Sequence, residues 1–333
     1  MEKKNIRKAM SVMAILLAAV LALVSCSGSH SESSSELDFN FCSSDTFQIH
    51  RNADLIFASP MHDSLFAVHG DDLYEYDKKG ECTLHEIGHK ITQASCCGDF
   101  YFIDDEQDLY RLDLQTDKSE RLLGKVSDVS AGSYLCGAVT EDGRLYLWGK
   151  KAGQYFDKQD NLSVPTEYKS DVHWKDAEFG NQHALALDDS GNVYETSTGS
   201  DEVTPLKKID GLKDIETVCC YTYGNLAVEK GGYIHSWSGL FDSQQYSAEK
   251  VEKILNDVKP THYSPGSKFI VAYNDTQAYH WGYAGLSNVN KSTIEHSSPT
   301  KIPFFSDYDN IYCGGFVIYL QKGTKIVSYD VDR

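Results

Sequence analysis

The chain has 333 residues and a formal net charge of −18, with 49 acidic against 31 basic side chains. A field of that sign repels phosphate backbones and anionic headgroups, which argues against nucleic-acid and nucleotide partners. At this length one core can bury most of the apolar surface without disulfide staples.

The first element is a basic head, Lys3, Lys4, Arg7 and Lys8, followed by an apolar run from Ala9 to Val24. A positive head, a short apolar stretch and small residues before a cut describe a secretory signal peptide. The run ends in Leu23-Val24-Ser25-Cys26, which resembles the lipobox of bacterial lipoproteins. The resemblance implies removal of residues 1–25, a diacylglyceryl group on the Cys26 thiol, and a mature protein held on a cell membrane facing outside the cytoplasm. With Ser27 and not Asp after the lipidated residue, it also implies the outer membrane where there are two. The alternative is an uncleaved anchor, for which 16 apolar residues are marginal against the roughly 20 that a spanning helix needs. The first 25 residues carry four positive charges and one negative, so the remainder is more acidic, at about −21.

Residues 26–44 open on the lipidated Cys and a polar run, SGSHSESSSE, that reads as a flexible tether. Ten such residues reach roughly 16–19 Å. Residues 45–333 read as one repetitive domain. Phe47-Gln48-Ile49-His50 alternates like a strand. Seven similar units follow, at 54–76, 91–112, 126–149, 174–196, 215–239, 258–282 and 308–329. Each has an apolar or small run, a short strand of small residues, a turn and an aromatic strand. Aligning the last strands gives anchors at Tyr74, Tyr110, Tyr146, Tyr194, His235, Tyr279 and Val327. Periods near 40 residues built of short strands and Gly turns point to propeller blades. Asp142-Gly143, Ser190-Gly191, Gly231-Gly232 and Lys322-Gly323 supply tight hairpins. Lys250–Val258 reads as one surface turn of helix.

Units three, four and six carry a finer pattern. Val129-x-Ala131-Gly132, Asp142-Gly143 and Trp148-Gly149 are followed by Gly153-Gln154 and Pro165; Gly180-x-x-His183 and Trp281-Gly282 repeat parts of it. This order resembles the regulator of chromosome condensation repeat. Tyr76, Leu112 and Tyr329 stand where its tryptophan would be. The resemblance implies an all-β, seven-bladed propeller. Its last blade lacks an outer strand, so the segment near 47–50 is expected to pair into it and close the ring. The family's eukaryotic founder is an exchange factor for a nuclear small GTPase; export and acidity oppose that partner and chromatin here. A secreted bacterial propeller of the same repeat type inhibits β-lactamases through aromatic loop residues.

His183, in the repeat's histidine position, reads as a strand-layer histidine, since no motif supplies it a nucleophile or a carboxylate. His235 and His280 read the same way. Asp188-Asp189-Ser190-Gly191-Asn192 lacks the alternating acids and distal Glu of a calcium loop and reads as a solvated hairpin turn, as do Asp104-Asp105-Glu106 and Asp307-Tyr308-Asp309. No metal and no cofactor is expected. The eight cysteines besides Cys26 read mostly as free buried thiols, with vicinal bridges at Cys96-Cys97 or Cys219-Cys220 as the alternative.

Three long connections, 149–173, 239–257 and 282–307, each start after a final strand and so leave one end of the ring. They carry Tyr155, Phe156, Tyr168, Phe241, Tyr246 and Tyr283. Aromatics on long loops of a rigid scaffold either bind a partner or fold back on blade edges. The expected function is a membrane-tethered extracytoplasmic scaffold that binds a protein through this end. Two other readings are carbohydrate recognition by stacked aromatics and an enzyme. The enzyme would need paired carboxylates or a metal at the ring axis, and spacing alone places no such pair.

Overall fold

The computed structural model describes residues 44–50, 52–60, 62–150, 152–156, 161–180, 183–197, 205–221, 224–238, 248–267, 269–282, 296–302 and 305–330. The expected signal peptide, Cys26, Cys42 and most of the tether lie outside them. No described helix is long and apolar enough to cross a membrane.

The described residues form seven antiparallel sheets, each with its strands in chain order from the first strand outward, except that the outer strand of the last comes from the start of the chain. Blade one is Leu55–Ala58, Ser64–His69, Asp72–Asp77 and Cys82–Glu86. Blade two is Ile91–Cys97, Asp99–Asp104, Leu109–Asp113 and Lys118–Leu123. Blade three is Val126–Ala131, Cys136–Thr140, Leu145–Gly149 and Leu162–Glu167. Blade four is Trp174–Phe179, His183–Asp188, Val193–Ser197 and Lys207–Lys208. Blade five has three strands, Ile215–Tyr221, Gly224–Glu229 and Ile234–Ser238. Blade six is His262–Pro265, Phe269–Tyr273, Ala278–Gly282 and His296–Ile302. Blade seven is Asn310–Cys313, Val317–Lys322 and Lys325–Asp330, with Ser44–Gln48 as its outer strand.

Period-two alternation explains why these sheets stack. In the second strand of blade one, Leu65 and Ala67 pack with Val317 and Tyr319 of blade seven, while Phe66 and Val68 pack with Phe100 and Phe102 of blade two. Successive side chains point to opposite faces of a strand, so one apolar strand serves two neighbours. The same division produces a buried cluster between every adjacent pair of blades, seven to one included. All seven anchors fall in third strands. Their second-strand partners are Ala67, Phe102, Ala138, Ala186, Ala227, Ala272 and Leu320. Units one, two and seven, weak in sequence, are thus as well formed as the rest.

Ring closure follows the expectation, with the strand starting earlier: Ser44–Gln48 runs antiparallel to the last strand, with Phe47 opposite Ile326. The Phe47 ring stacks on Tyr76 at 5.7 Å and meets Tyr319 edge-on at 6.5 Å. Gly80 passes under Phe47 so closely that a β-carbon there would collide with the ring.

Three expectations change. The supposed surface turn at 250–258 is an 11-residue helix, α1 (Ala248–Val258), and it is part of the core. Its Val251 and Leu255 are fully buried against Leu226, Ile234, Ile270 and Trp281, so it covers blade five where other blades have an outer strand. The three long connections are not wholly loops: they contain the outer elements Leu162–Glu167, α1 and His296–Ile302. The acidic hairpin turns are not solvated at Asp188 and Asp104, both buried. Asp188 Oδ1 accepts from the Ser190 and Asn192 amides at 3.0 and 2.8 Å, and Asp104 Oδ1 accepts from those of Glu106 and Asp108. Aspartate there satisfies turn donors that the ladder leaves free.

Candidate functional site

The first strands of all seven blades enclose a cavity of about 540 Å³ at the ring axis. Equivalent register positions place Phe57, Ser95, Ser130, Glu178, Cys219, Ser264 and Tyr312 in one belt around it. Where the belt residue is serine it stitches blades together. Ser95 Oγ accepts from Ala131 N at 2.9 Å, Ser130 Oγ from Phe179 N at 3.1 Å, and Ser264 Oγ from Cys313 N at 2.9 Å. Gly132 lets blades three and four approach: a β-carbon there would strike the Gly180 carbonyl.

Blades four and five depart from the serines, with Glu178 and Cys219. Glu178 Oε2 accepts from Ser130 Oγ at 3.2 Å. Two residues before each belt position, on the same strand face, lie Gln93, Asp128 and Asp176. Gln93 Nε2 donates to Asp128 Oδ1 at 2.6 Å, and the Ala177 amide to Asp128 Oδ2 at 3.4 Å. Burial, then the neighbouring Asp128 carboxylate, pushes Asp176 up to about 7. Burial, then Asp176 and Asp128, holds Glu178 well above the ordinary carboxylate range. Asp176 therefore holds its proton to higher pH than an ordinary carboxylate. This carboxylate group is what sequence spacing did not place. Its signal was there: Asp128 and Asp176 occupy the same repeat position, 48 residues apart like their anchors, and inner-strand repeats converge on the axis.

The sequence-selected aromatics are divided. Tyr155 and Phe156 sit on a 3₁₀ turn, Ala152–Phe156, just past Trp148-Gly149. With Tyr168 they pack on the cluster between blades three and four. Tyr155 shares a 2.6 Å hydrogen bond with Thr196 Oγ1, and its ring meets Tyr168 edge-on at 6.0 Å. Tyr168 follows the outer strand, and its amide donates to Leu145 O at the opposite end of the third strand from Gly149. Phe241, Tyr246 and Tyr283 lie outside the described residues, as does the His183 side chain. His235 Nε2 pairs with Glu229 Oε1 at 2.8 Å, and His280 is buried.

The seven described cysteines are free thiols, so neither Cys96-Cys97 nor Cys219-Cys220 forms a bridge. Burial raises all of them, Cys96 and Cys136 to about 12, which makes them poor nucleophiles. Among the described residues no three His, Cys, Asp or Glu side chains are grouped to hold a metal.

No protein-family model matches the chain. It is 24 % identical to human regulator of chromosome condensation over 269 residues, 65 % of this chain and 64 % of that protein. It is 25 % identical to the mitochondrial RCC1 domain-containing protein RUG3 of Arabidopsis thaliana over 209 residues, 51 % of this chain and 47 % of the relative. The chain thus spans about half to two thirds of these relatives. Among solved structures it superposes on yeast RCC1 (Prp20), determined bound to Kap60, with a TM-score of 0.62 and 14 % identity over 84 % of this chain and 80 % of that one. This chain has a seven-bladed β-propeller fold, the fold of the regulator of chromosome condensation. The propeller's seven tryptophan-type positions are Tyr76, Leu112, Trp148, Thr196, Trp237, Trp281 and Tyr329, each two residues past its anchor.

Proposed function

We propose that the protein is a binding scaffold, lipid-anchored through Cys26 on the extracytoplasmic side of a bacterial membrane, that engages a protein through one end of its ring. The observation that carries this reading is the closed ring. Packing between blades absorbs both faces of the sheets, so the connections at the two ends are the surfaces left to specialise. Four third-to-outer connections leave the same end, at 150–161, 198–206, 239–247 and 283–295, and they include Phe241, Tyr246 and Tyr283. Yeast RCC1, which shares the fold, has been determined with a bound protein. The polar tether lets such a face sweep the volume near the membrane.

Two experiments test the two halves of this reading. A photo-crosslinking residue at position 241, 246 or 283 should trap one envelope protein in cells, and one at Lys230, on the opposite end, should not. Trapping equally from both ends, or none from the loops, overturns the face. Cys26→Ser should abolish incorporation of labelled palmitate and release the chain from membranes. A variant that stays labelled and bound overturns the anchor.

A further inference from the structure

The axial cavity is distinct from the loop end in the residues that line it. Its belt holds a single carboxylate, Glu178, and among the described residues no lysine or arginine lines the cavity. Glu178 stands where three other blades carry a stitching serine, a role that serine fills without a charge to desolvate. A half-buried carboxylate on a cavity wall is only partly solvated, and hydrogen bonds or a cation stabilise it. Here Ser130 supplies the one donor. The second oxygen, Oε1, has no donor among the described residues, and the nearest charged groups are Asp128 and Asp176, of like sign. His262, the other titratable ring on the wall, is exposed and stacks on Tyr273 at 4.9 Å, with Thr261 Oγ1 on its Nδ1. Much of the remaining wall is aromatic or apolar: Phe57, Tyr263 and Tyr312 with Cys219. The volume falls in the range of small-molecule sites. A half-buried carboxylate on the wall of an aromatic and apolar chamber selects a cation with an apolar body, since the ammonium pairs with the carboxylate and the wall takes up the rest.

We propose that the axial cavity binds a small organic ammonium ion, its charge paired with Glu178 Oε1 and its apolar body against the Phe57–Tyr263–Tyr312 wall. Asp128 and Asp176, of like sign, add to the negative potential that draws an ammonium to Glu178. Anions and uncharged analogues of the same shape are disfavoured.

Calorimetric titration of the full chain in detergent with phenethylamine, and with its uncharged counterpart 2-phenylethanol, tests this. Phenethylamine should bind saturably and at least about tenfold more tightly than the alcohol, the discrimination that one charge-assisted pair supplies. Glu178→Gln should remove that preference while melting within a few degrees of the parent. Glu249→Gln, on the exposed face of α1, should leave it intact. No saturable binding up to about 10 mM, where affinity would be a few kcal/mol at most, overturns the proposal. So does equal affinity for amine and alcohol, or an amine preference that survives Glu178→Gln.

Discussion

Thr196 is the one small residue at the seven tryptophan-type positions, and it is buried. Left alone it would open a void between blades three and four. Tyr155 reaches in from the turn between the third and outer strands of blade three, with its hydroxyl on Thr196 and its ring on the shared cluster. An aromatic from the previous blade thus does the packing that the local strand omits. Tyr155→Phe should cost about 1 kcal/mol, the worth of one buried neutral hydrogen bond, and Tyr155→Ala about 3 kcal/mol from lost burial plus cavity. Both are read by urea denaturation. A change under about 0.5 kcal/mol for the alanine variant, as for an ordinary surface residue, would return Tyr155 to the free loop surface. Gly132 makes the reverse argument. It has no room for a methyl group beneath the Gly180 carbonyl, so Gly132→Ala should destabilise by about 1–3 kcal/mol through overpacking. The break at Thr196 was visible in the sequence. What filled it was not, because the filler comes from a loop whose path no periodicity specifies.

At the level of elements, the strands were legible because one apolar period of two must serve two neighbours, and seven anchors kept a single register. Helix α1 was not. Its polar face is Glu249, Lys250, Lys253 and Asp257, while its buried stripe is as short as Val251, Leu255 and Val258. So few apolar residues look like a surface turn until blade six supplies Ile270 and Trp281 beside them. Leu255→Ala should therefore cost about 3 kcal/mol, as for a core leucine; a loss below about 1 kcal/mol would make α1 a peripheral ornament. The closing strand is the other element set by distant residues. Phe47 contacts Tyr76 and Tyr319, 29 and 272 positions away in numbering. Phe47→Ala should lower stability by about 2–3 kcal/mol for a half-buried ring, and Thr46→Pro, which places a ring inside the ladder opposite Val327, should do at least as much. If the ring melts at the same temperature with either change, the last blade closes by other means.

For the whole molecule, the buried ionisable groups give stability a predictable dependence on pH. Asp176 is raised to about 7 when folded, so the native state holds a proton that the unfolded chain has lost. Its contribution is full below the ordinary carboxylate value and disappears as pH rises from about 4 to 7. His85 works in the same direction for a different reason. Burial pushes its imidazole down, but hydrogen bonds to Glu75 and Asp117, with their charges, prevail and the net shift is upward. Those contacts measure 3.3 and 2.6 Å and join blade one to the turn of blade two. The stabilisation from His85 is complete below about 6.5 and is lost as pH climbs through its folded value. Glu75 sets the acid limit. The hydrogen bond from His85 outweighs burial and holds it below the ordinary range, so its contribution is present above about 4.5 and fails as pH falls through its folded value. The melting temperature should accordingly peak near pH 5–6 and decline toward pH 8, where the accumulated negative charge adds repulsion. Asp176→Asn keeps a donor for Asp128 without the charge. It should raise the melting temperature at pH 8 by about 2–4 °C for each kcal/mol of repulsion removed and leave it unchanged near pH 4. His85→Gln should flatten the slope between pH 6 and 8. A melting temperature that rises steadily from pH 5.5 to 8 in the parent, or an Asp176→Asn variant that tracks the parent at every pH, would show that the channel acids are ionised at no cost to the fold. Asp176 would then behave as an ordinary exposed carboxylate, not as one raised by burial and by Asp128.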